Sequence, residues 1–234
     1  MFRDRTAAGG KLAERLAHLK DADPVVLALP RGGVPVAFEV AKALDAPLDL
    51  VLVRKIGAPG YEEYGIGAIS DGPDPVVVLD QAAIGFLGIP PQYIEEQKRH
   101  QLAEIERRRA LWLGGRPRAA IEGRTAIVVD DGIATGGTMR AALGAVRKRQ
   151  PRRLVMAVPV AAADSLESLR SEADEVVCLA APSWFQAVGA FYDEFHQLAD
   201  EEVADILRHA AHAPAPVPRN AVEGGDARGK PDPS

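Results

Sequence analysis

Two acidic residues stand side by side at Asp130 and Asp131, and a run of small residues follows at once: Ala134, Thr135, Gly136, Gly137 and Thr138. Glycines let backbone N–H groups approach a ligand closely, and threonine hydroxyls add donors. A helix that starts here presents unpaired N–H groups and the positive end of its dipole. That combination suits a phosphate monoester. Carboxylates touching a phosphate would repel it, but they accept strongly from hydroxyl donors. Asp130 and Asp131 therefore suit a sugar, and the loop from 134 to 138 suits the phosphate that the sugar carries. The stretch lacks the GK[ST] ending of a P-loop, and the GxGxxG dinucleotide fingerprint is absent.

Three other stretches carry chemistry. In LPRGGVPV (29–36), Arg31 offers a forked cation and Gly32 and Gly33 expose backbone N–H groups, a set that suits a second anion such as pyrophosphate. In RKIGAPGYEEYG (54–65), Arg54 and Lys55 end a strand where they would face that anion. Tyr61, Glu62, Glu63 and Tyr64 follow in a loop, with a solvated hairpin as the plainer reading. PSWFQAVGAFYDEF (182–195) is rich in aromatics, which either stack on a base or close the core.

The elements that must hold these residues alternate. Leu12, Leu16 and Leu19 give helical spacing over about 10–20, and apolar runs at 25–30, 48–56, 127–129, 153–161 and 175–180 read as buried strands. Short strands are also expected at 67–70 and 76–80. Helices fall between the runs, with Ala37, Ala41 and Leu44 on one face of the second. The pattern predicts an α/β fold with a mainly parallel sheet flanked by helices. In such a sheet ligands bind beyond the carboxyl ends of the strands, at a switch point. The stretch 90–113 is long, charged and helical, with Ile94, Leu102, Ile105 and Leu113 as sparse apolar positions. It reads as a solvated helix across the domain edge, with a homodimer contact or a lid over a site as the alternatives. Arg107, Arg108 and Arg109 are interleaved with Glu104 and Glu106, so they too read as a solvated face.

The 234 residues, 47% apolar, suffice for one substantial domain. The formal net charge of −5 speaks against non-specific nucleic-acid or membrane-surface binding. Cys178 stands alone in an apolar run, as a small buried hydrophobe would. Neither a signal peptide nor a membrane span is evident, so a soluble cytoplasmic protein is expected. The domain is expected over 1–212, with a helical insertion at about 81–118, and 213–234 as a disordered tail rich in Pro and Gly.

VVDDGIATGGTM resembles the phosphoribosyl-pyrophosphate (PRPP) motif of type I phosphoribosyltransferases, and the resemblance spans roughly 25–193. It implies their Rossmann-like fold and PRPP as a partner. By that resemblance Asp130 and Asp131 bind the ribose hydroxyls, and Ala134, Thr135, Gly136, Gly137 and Thr138 bind the 5′-phosphate. LPRGG looks like the family's pyrophosphate loop, which often holds a non-proline cis peptide, here expected around 30–32. That loop gives Arg31, Gly32 and Gly33, with Arg54 and Lys55, as the pyrophosphate set, and Arg31 as a stabiliser of the leaving group. Mg²⁺ is implied, bridging ligand oxygens, with no direct protein ligand beyond Asp130 or Asp131 through water. Hypoxanthine-type members carry an aspartate where this chain has Ala134. The spelling ATGGTM, and Arg54, Lys55 and Gly57 followed by Glu63, Tyr64 and Gly65, are closer to adenine-type members, which makes Glu63 the proton-transfer candidate. The aromatic segment 182–195 is similar to the base-covering hood of hypoxanthine-type members, with Trp184, Phe185 and Val188 against the base. The implied activity is phosphoribosyl transfer to a nitrogenous base, purine favoured, with pyrophosphate released, C1 inverted and residues 57–65 closing to exclude water, as in nucleotide salvage. A PRPP-sensing regulator without catalysis is the first alternative, and a nucleotide or sugar-phosphate hydrolase the second.

Overall fold

A computed structural model of the chain describes residues 1–72 and 75–211, without the side chains of Glu62 and Glu63. The expected tail at 213–234 lies outside the described residues. Helix α1 (Arg5–Leu16) begins five residues before the leucine spacing suggested, because the Asp4 carboxylate caps it, accepting from the Ala7 N–H at 2.7 Å. Strand β1 (Pro24–Ala28), helix α2 (Gly33–Leu44) and strand β2 (Leu48–Leu50) follow. The chain then leaves the main sheet. Strands β3 (Val53–Ala58), β4 (Tyr61–Ser70) and β5 (Val77–Leu79) form a separate antiparallel sheet, followed by α3 (Gln81–Leu87) and the 23-residue α4 (Pro91–Leu113). Strand β6 (Thr125–Val129), helix α5 (Gly137–Lys148), strand β7 (Arg153–Val160), helix α6 (Ala163–Leu169) and strand β8 (Glu175–Ala180) return to the main sheet, and α7 (Asp200–Ala211) ends the described chain.

The main sheet has five parallel strands in the order β2-β1-β6-β7-β8. All five residues of β1 and all five of β6 are buried, as continuous apolar runs in a doubly covered sheet must be. Period-two alternation divides them between two cores. Val26, Ala28, Ile127 and Val129 face α1, α2 and α7, while Val25, Leu27, Ala126 and Val128 face the α5 side. Burying a side chain such as Ile127 fully contributes about 1.5–3 kcal/mol relative to exposing it.

Three expectations are corrected. The run 48–56 is not one strand: it is divided between β2 and β3. Leu50, Val51 and Leu52 are all buried across the break, so continuous hydrophobicity carries no mark of the change of sheet. Residues 57–65 are not a free loop: the alternative reading, a hairpin, is what forms, with Ala58 paired to Tyr61 and Gly60 at a φ of 74°. Pro59-Gly60 supplies a fixed φ and then a positive one, the pair of conformations that a tight turn needs. Helix α4 is not simply a solvated face. Arg109 is buried between Asp49 and Asp71, whereas Arg107 and Arg108 meet Glu104 at the surface. No helix among the described residues is long and apolar enough to cross a membrane.

Candidate functional site

From β1 the chain moves outward to β2, and from β6 it moves the other way to β7. The switch point therefore falls between β1 and β6, and the two loops singled out by residue type leave those two strands. The Leu29 N–H donates to the Val129 carbonyl at 2.9 Å and sets the loops level. The Pro30–Arg31 peptide is cis. A Cβ at Gly32 would lie 2.5 Å from the Asp131 Cγ, and one at Gly33 would lie 2.7 Å from the Val129 oxygen and 2.9 Å from the Asp130 Cα. Only glycine allows this approach, so the Arg-Gly-Gly loop lies directly on the paired aspartates.

The two aspartates differ. Asp131 Oδ2 accepts from Arg5 Nε at 2.8 Å, in a pair buried on both sides. The Asp131 N–H donates to Asp130 Oδ1 at 2.8 Å, and the Tyr192 hydroxyl donates to the Asp131 carbonyl at 2.5 Å. Among the described residues no cation pairs with Asp130. Burial, and then the charge of Asp131, push its pKa well above the usual carboxylate range, against a smaller pull from Arg5. Burial likewise pushes the Tyr192 phenol up, with Asp131 adding to it.

The loop after Asp131 is anchored at both ends. The Ile133 N–H donates to Val160 at 2.9 Å, the Ala162 N–H donates to Ile133 at 2.9 Å, and the Ser165 hydroxyl donates to the Ala134 carbonyl at 2.6 Å. Gly136, at a φ of 78°, turns the chain into α5. The first backbone bond of that helix is made by the Arg140 N–H to Gly136, which leaves the N–H groups of Gly137, Thr138 and Met139 at a helix start. Thr135 and Thr138 are exposed beside them. An anion here meets a row of donors and a favourable dipole.

A family model described as the phosphoribosyl transferase domain matches residues 5–196. The chain belongs to the phosphoribosyl transferase family. It is 46% identical over 210 residues to Mycobacterium tuberculosis proteins of two strains, each provisionally named a phosphoribosyl transferase. Those alignments cover 90% of this chain and 47% of each relative, so the chain spans about half the length of the curated relatives it matches. A crystal structure of the protein TT1426 from Thermus thermophilus is 46% identical, with a TM-score of 0.76, covering 89% of this chain and 98% of that one.

The other residues singled out in this phosphoribosyl transferase sequence are placed unevenly. Arg31 Nη1 lies 3.7 Å from Asp200 Oδ1, an oxygen that also accepts from Trp112 Nε1 at 3.2 Å. Val188 leans over Gly132, its Cγ1 2.5 Å from where a Cβ would stand. Phe185 is stacked on Phe191 with centroids 5.3 Å apart, in a small core with Phe2 and Tyr192, while Trp184 is 70% exposed. Arg54 turns to the insertion, Nε donating to Gln101 Oε1 at 2.9 Å, and burial lowers its pKa. Lys55, the next residue on β3, is exposed. The side chain of Glu63 lies outside the described residues. A cavity of about 650 Å³ lies elsewhere, at the start of β2 and the end of α7, lined by residues including Phe38, Leu48 and Arg116.

Arg5 escaped the sequence reading. It sits in MFRDRTAAGG, with no motif around it, and its partner is 126 residues away. The Asp4 cap was the one local signal: it starts the helix at residue 5 and so draws Arg5 out of the charged leader.

Proposed function

We propose that the chain transfers the 5-phosphoribosyl group from PRPP to a nitrogenous base, a purine by preference, and releases pyrophosphate. The observation that supports this reading is the contact between the two loops: the Arg-Gly-Gly turn rests on the paired aspartates, and a helix start lies just beyond them. A ligand lying across them would place one anion on Gly32 and Gly33, hydroxyls on the aspartates and a second anion on Thr135, Gly136, Gly137 and Thr138. PRPP has that order of groups.

In this reading Arg31 and the N–H groups of its loop hold the departing pyrophosphate, with Lys55 as a further cation. Preorganised donors of this kind stabilise charge as it develops. The ribosyl C1–oxygen bond breaks through an oxocarbenium-like state, and a base nitrogen attacks the opposite face, which inverts C1. Among the described residues no group of three or more His, Cys, Asp or Glu is arranged to hold a metal ion alone. The donor set still fits Mg²⁺ that is carried by PRPP. Asp131 is already neutralised by Arg5, so Asp130 is the carboxylate that would hold the ion, through water. When bound, Mg²⁺ neutralises the leaving group. On the acceptor side, exposed Trp184 offers a face for stacking and Val188 an apolar edge, with Phe185 supporting them from the small core. Glu63 is the proposed proton carrier.

Calorimetry of PRPP with Mg²⁺ tests the donor site. Wild type should bind, and the double variant Asp130→Asn/Asp131→Asn should lose at least about 100-fold in affinity, since each aspartate contributes a charge-assisted hydrogen bond. No binding by folded wild type would overturn the proposal. Turnover assays with adenine, hypoxanthine and guanine then identify the acceptor. Cleavage of a nucleotide by water without pyrophosphate would mark a hydrolase instead.

A further inference from the structure

One guanidinium touches both a site aspartate and the aromatic segment. Arg5 is 8% exposed, in the first turn of α1. Its Nε donates to Asp131 Oδ2 at 2.8 Å, and its Nη1 donates to the His196 carbonyl at 2.9 Å. Its guanidinium carbon lies 3.8 Å from the centroid of the Phe195 ring. Phe195 in turn packs on Tyr192, centroids 5.0 Å apart, and Tyr192 donates to the Asp131 carbonyl. The ring also closes on Gly189, one residue past Val188: a Cβ there would lie 2.7 Å from Phe195 Cδ1.

The backbone ties the same pieces together. Phe2 bridges to Tyr192 in parallel, with the Phe2 N–H donating to Phe191 at 2.8 Å and the Asp193 N–H donating to Phe2 at 2.9 Å. The amino-terminal residues are thus a strand partner for segment 182–195. Arg5 hangs from that partner and reaches across to the carboxylate lying on Gly32.

We infer that Arg5 is a positioning residue that couples the donor side to the acceptor side, holding Asp131 for the ribose with Nε and fastening the aromatic segment over the base with Nη1 and its flat face. Only a fork can do both. A guanidinium offers several donors in one plane and a stacking surface, whereas an ammonium offers a point charge. This inference rests on the transferase reading above for what the two sides bind.

The test uses Arg5→Lys and Arg5→Met in the full chain, each also combined with Asp131→Asn. Each variant is first shown to be folded by its thermal transition, and assays are run well below it. Arg5→Met removes the charge from Asp131 and should weaken PRPP binding by about 10-fold or more, the worth of one hydrogen bond to a charged group. Arg5→Lys keeps a charge near Asp131, so PRPP affinity should stay within about threefold of wild type, while the acceptor KM rises severalfold for loss of the planar fork. In the Asp131→Asn background, Arg5→Met should add little further loss of PRPP affinity, because the residue it acts through is gone. A merely structural Arg5 would lower the thermal transition in both backgrounds alike and leave the PRPP Kd of folded protein unchanged; that result overturns the inference. So does an Arg5→Lys variant in which donor affinity and acceptor KM change in step. Failure of wild type to bind PRPP overturns the transferase reading and this inference with it, whereas wild-type binding with unaltered variants removes the inference alone.

Discussion

The molecule holds two acid pairs, one buried and one partly buried, and treats them differently. At the junction of the two sheets, Asp49 and Asp71 are 2% and 6% exposed. Arg109 bonds Asp49 at 3.0 Å and reaches Asp71 at 3.4 Å, and Arg118 also bonds Asp71. The Leu50 and Ala119 N–H groups fill more of the Asp49 lone pairs, and the Leu52 N–H bonds Asp71. At the carboxyl ends of β1 and β6, Asp130 and Asp131 share one cation among the described residues, Arg5, which bonds Asp131 and not Asp130. The first pair is matched, two carboxylates to two guanidiniums. The second is short by one. A carboxylate that is buried and uncompensated weakens the fold, and its retention makes sense where a ligand supplies the missing partner.

Breaking the matched pair should have the largest effect. Arg109→Leu leaves Asp49 buried without its cation and Asp71 with Arg118 alone. Loss of one partner from a buried pair costs about 3–5 kcal/mol. The urea midpoint should fall accordingly, and an unchanged midpoint would show that water already reaches these carboxylates.

At the short pair the sign should reverse. Folding pushes the Asp130 pKa up, so over the window above the ordinary carboxylate range the native state holds a proton that the unfolded chain has released. Stability therefore falls as pH rises through that window. Asp130→Asn cannot titrate, its carbonyl can still accept from the Asp131 N–H, and its amide can donate to Asp131. In metal-free buffer the variant should be more stable than wild type at mildly alkaline pH, with the gain vanishing as the pH falls into the ordinary carboxylate range. Burial raises the Asp71 pKa too, but Asp71 is common to both proteins and cancels in the difference. PRPP affinity should fall in the same variant. A protein that gains stability while losing its ligand would show directly what the missing cation is for. Equal pH profiles for the two proteins would mean that Asp130 titrates as an ordinary surface group.

Gly32→Ala probes the same place from the loop side. The new methyl would meet the Asp131 carboxylate, whose Cγ lies 2.5 Å from the ideal Cβ position. Either the loop or the carboxylate must shift, at about 1–3 kcal/mol for overpacking of this kind. PRPP affinity should drop by about 10-fold or more, read by calorimetry. At Gly10, where a Cβ would meet nothing within 4 Å, Gly10→Ala should leave affinity unchanged.

How much of this was legible in the sequence follows from distance along the chain. The phosphate loop and its aspartates lie within nine consecutive residues and need only strand, turn and helix start, each set by local chemistry. The cis peptide was expected around 30–32 and lies at Pro30–Arg31. The five main strands alternate with helices as their apolar runs suggested. What stayed hidden depends on contacts between distant residues. Arg109 and Arg107 look alike in ERRRA, and only the packing of α4 on β3, β4 and α7 buries one of them. Arg5 and Asp131 are 126 residues apart. The break between β2 and β3 falls inside unbroken hydrophobicity, where periodicity has nothing to report.

The smallest effect on the fold, and the most selective on the chemistry, is expected at Trp184. Its ring is 70% exposed, so Trp184→Ala should change stability by no more than about 0.5 kcal/mol. Phe185 next to it is stacked on Phe191, and Phe185→Ala should lower the thermal transition clearly. The two neighbours thus separate the jobs that a run of aromatics can do. Stacking of a base on an aromatic ring contributes about 1–3 kcal/mol, so loss of Trp184 should raise the acceptor KM between about 5-fold and 100-fold while PRPP affinity stays put. A rise for every purine alike would identify stacking alone. A rise confined to one purine would mean that Trp184 also reads the edge of the base. An unchanged KM would move the acceptor contact to Val188, which already leans over Gly132 between the aspartates and the phosphate loop.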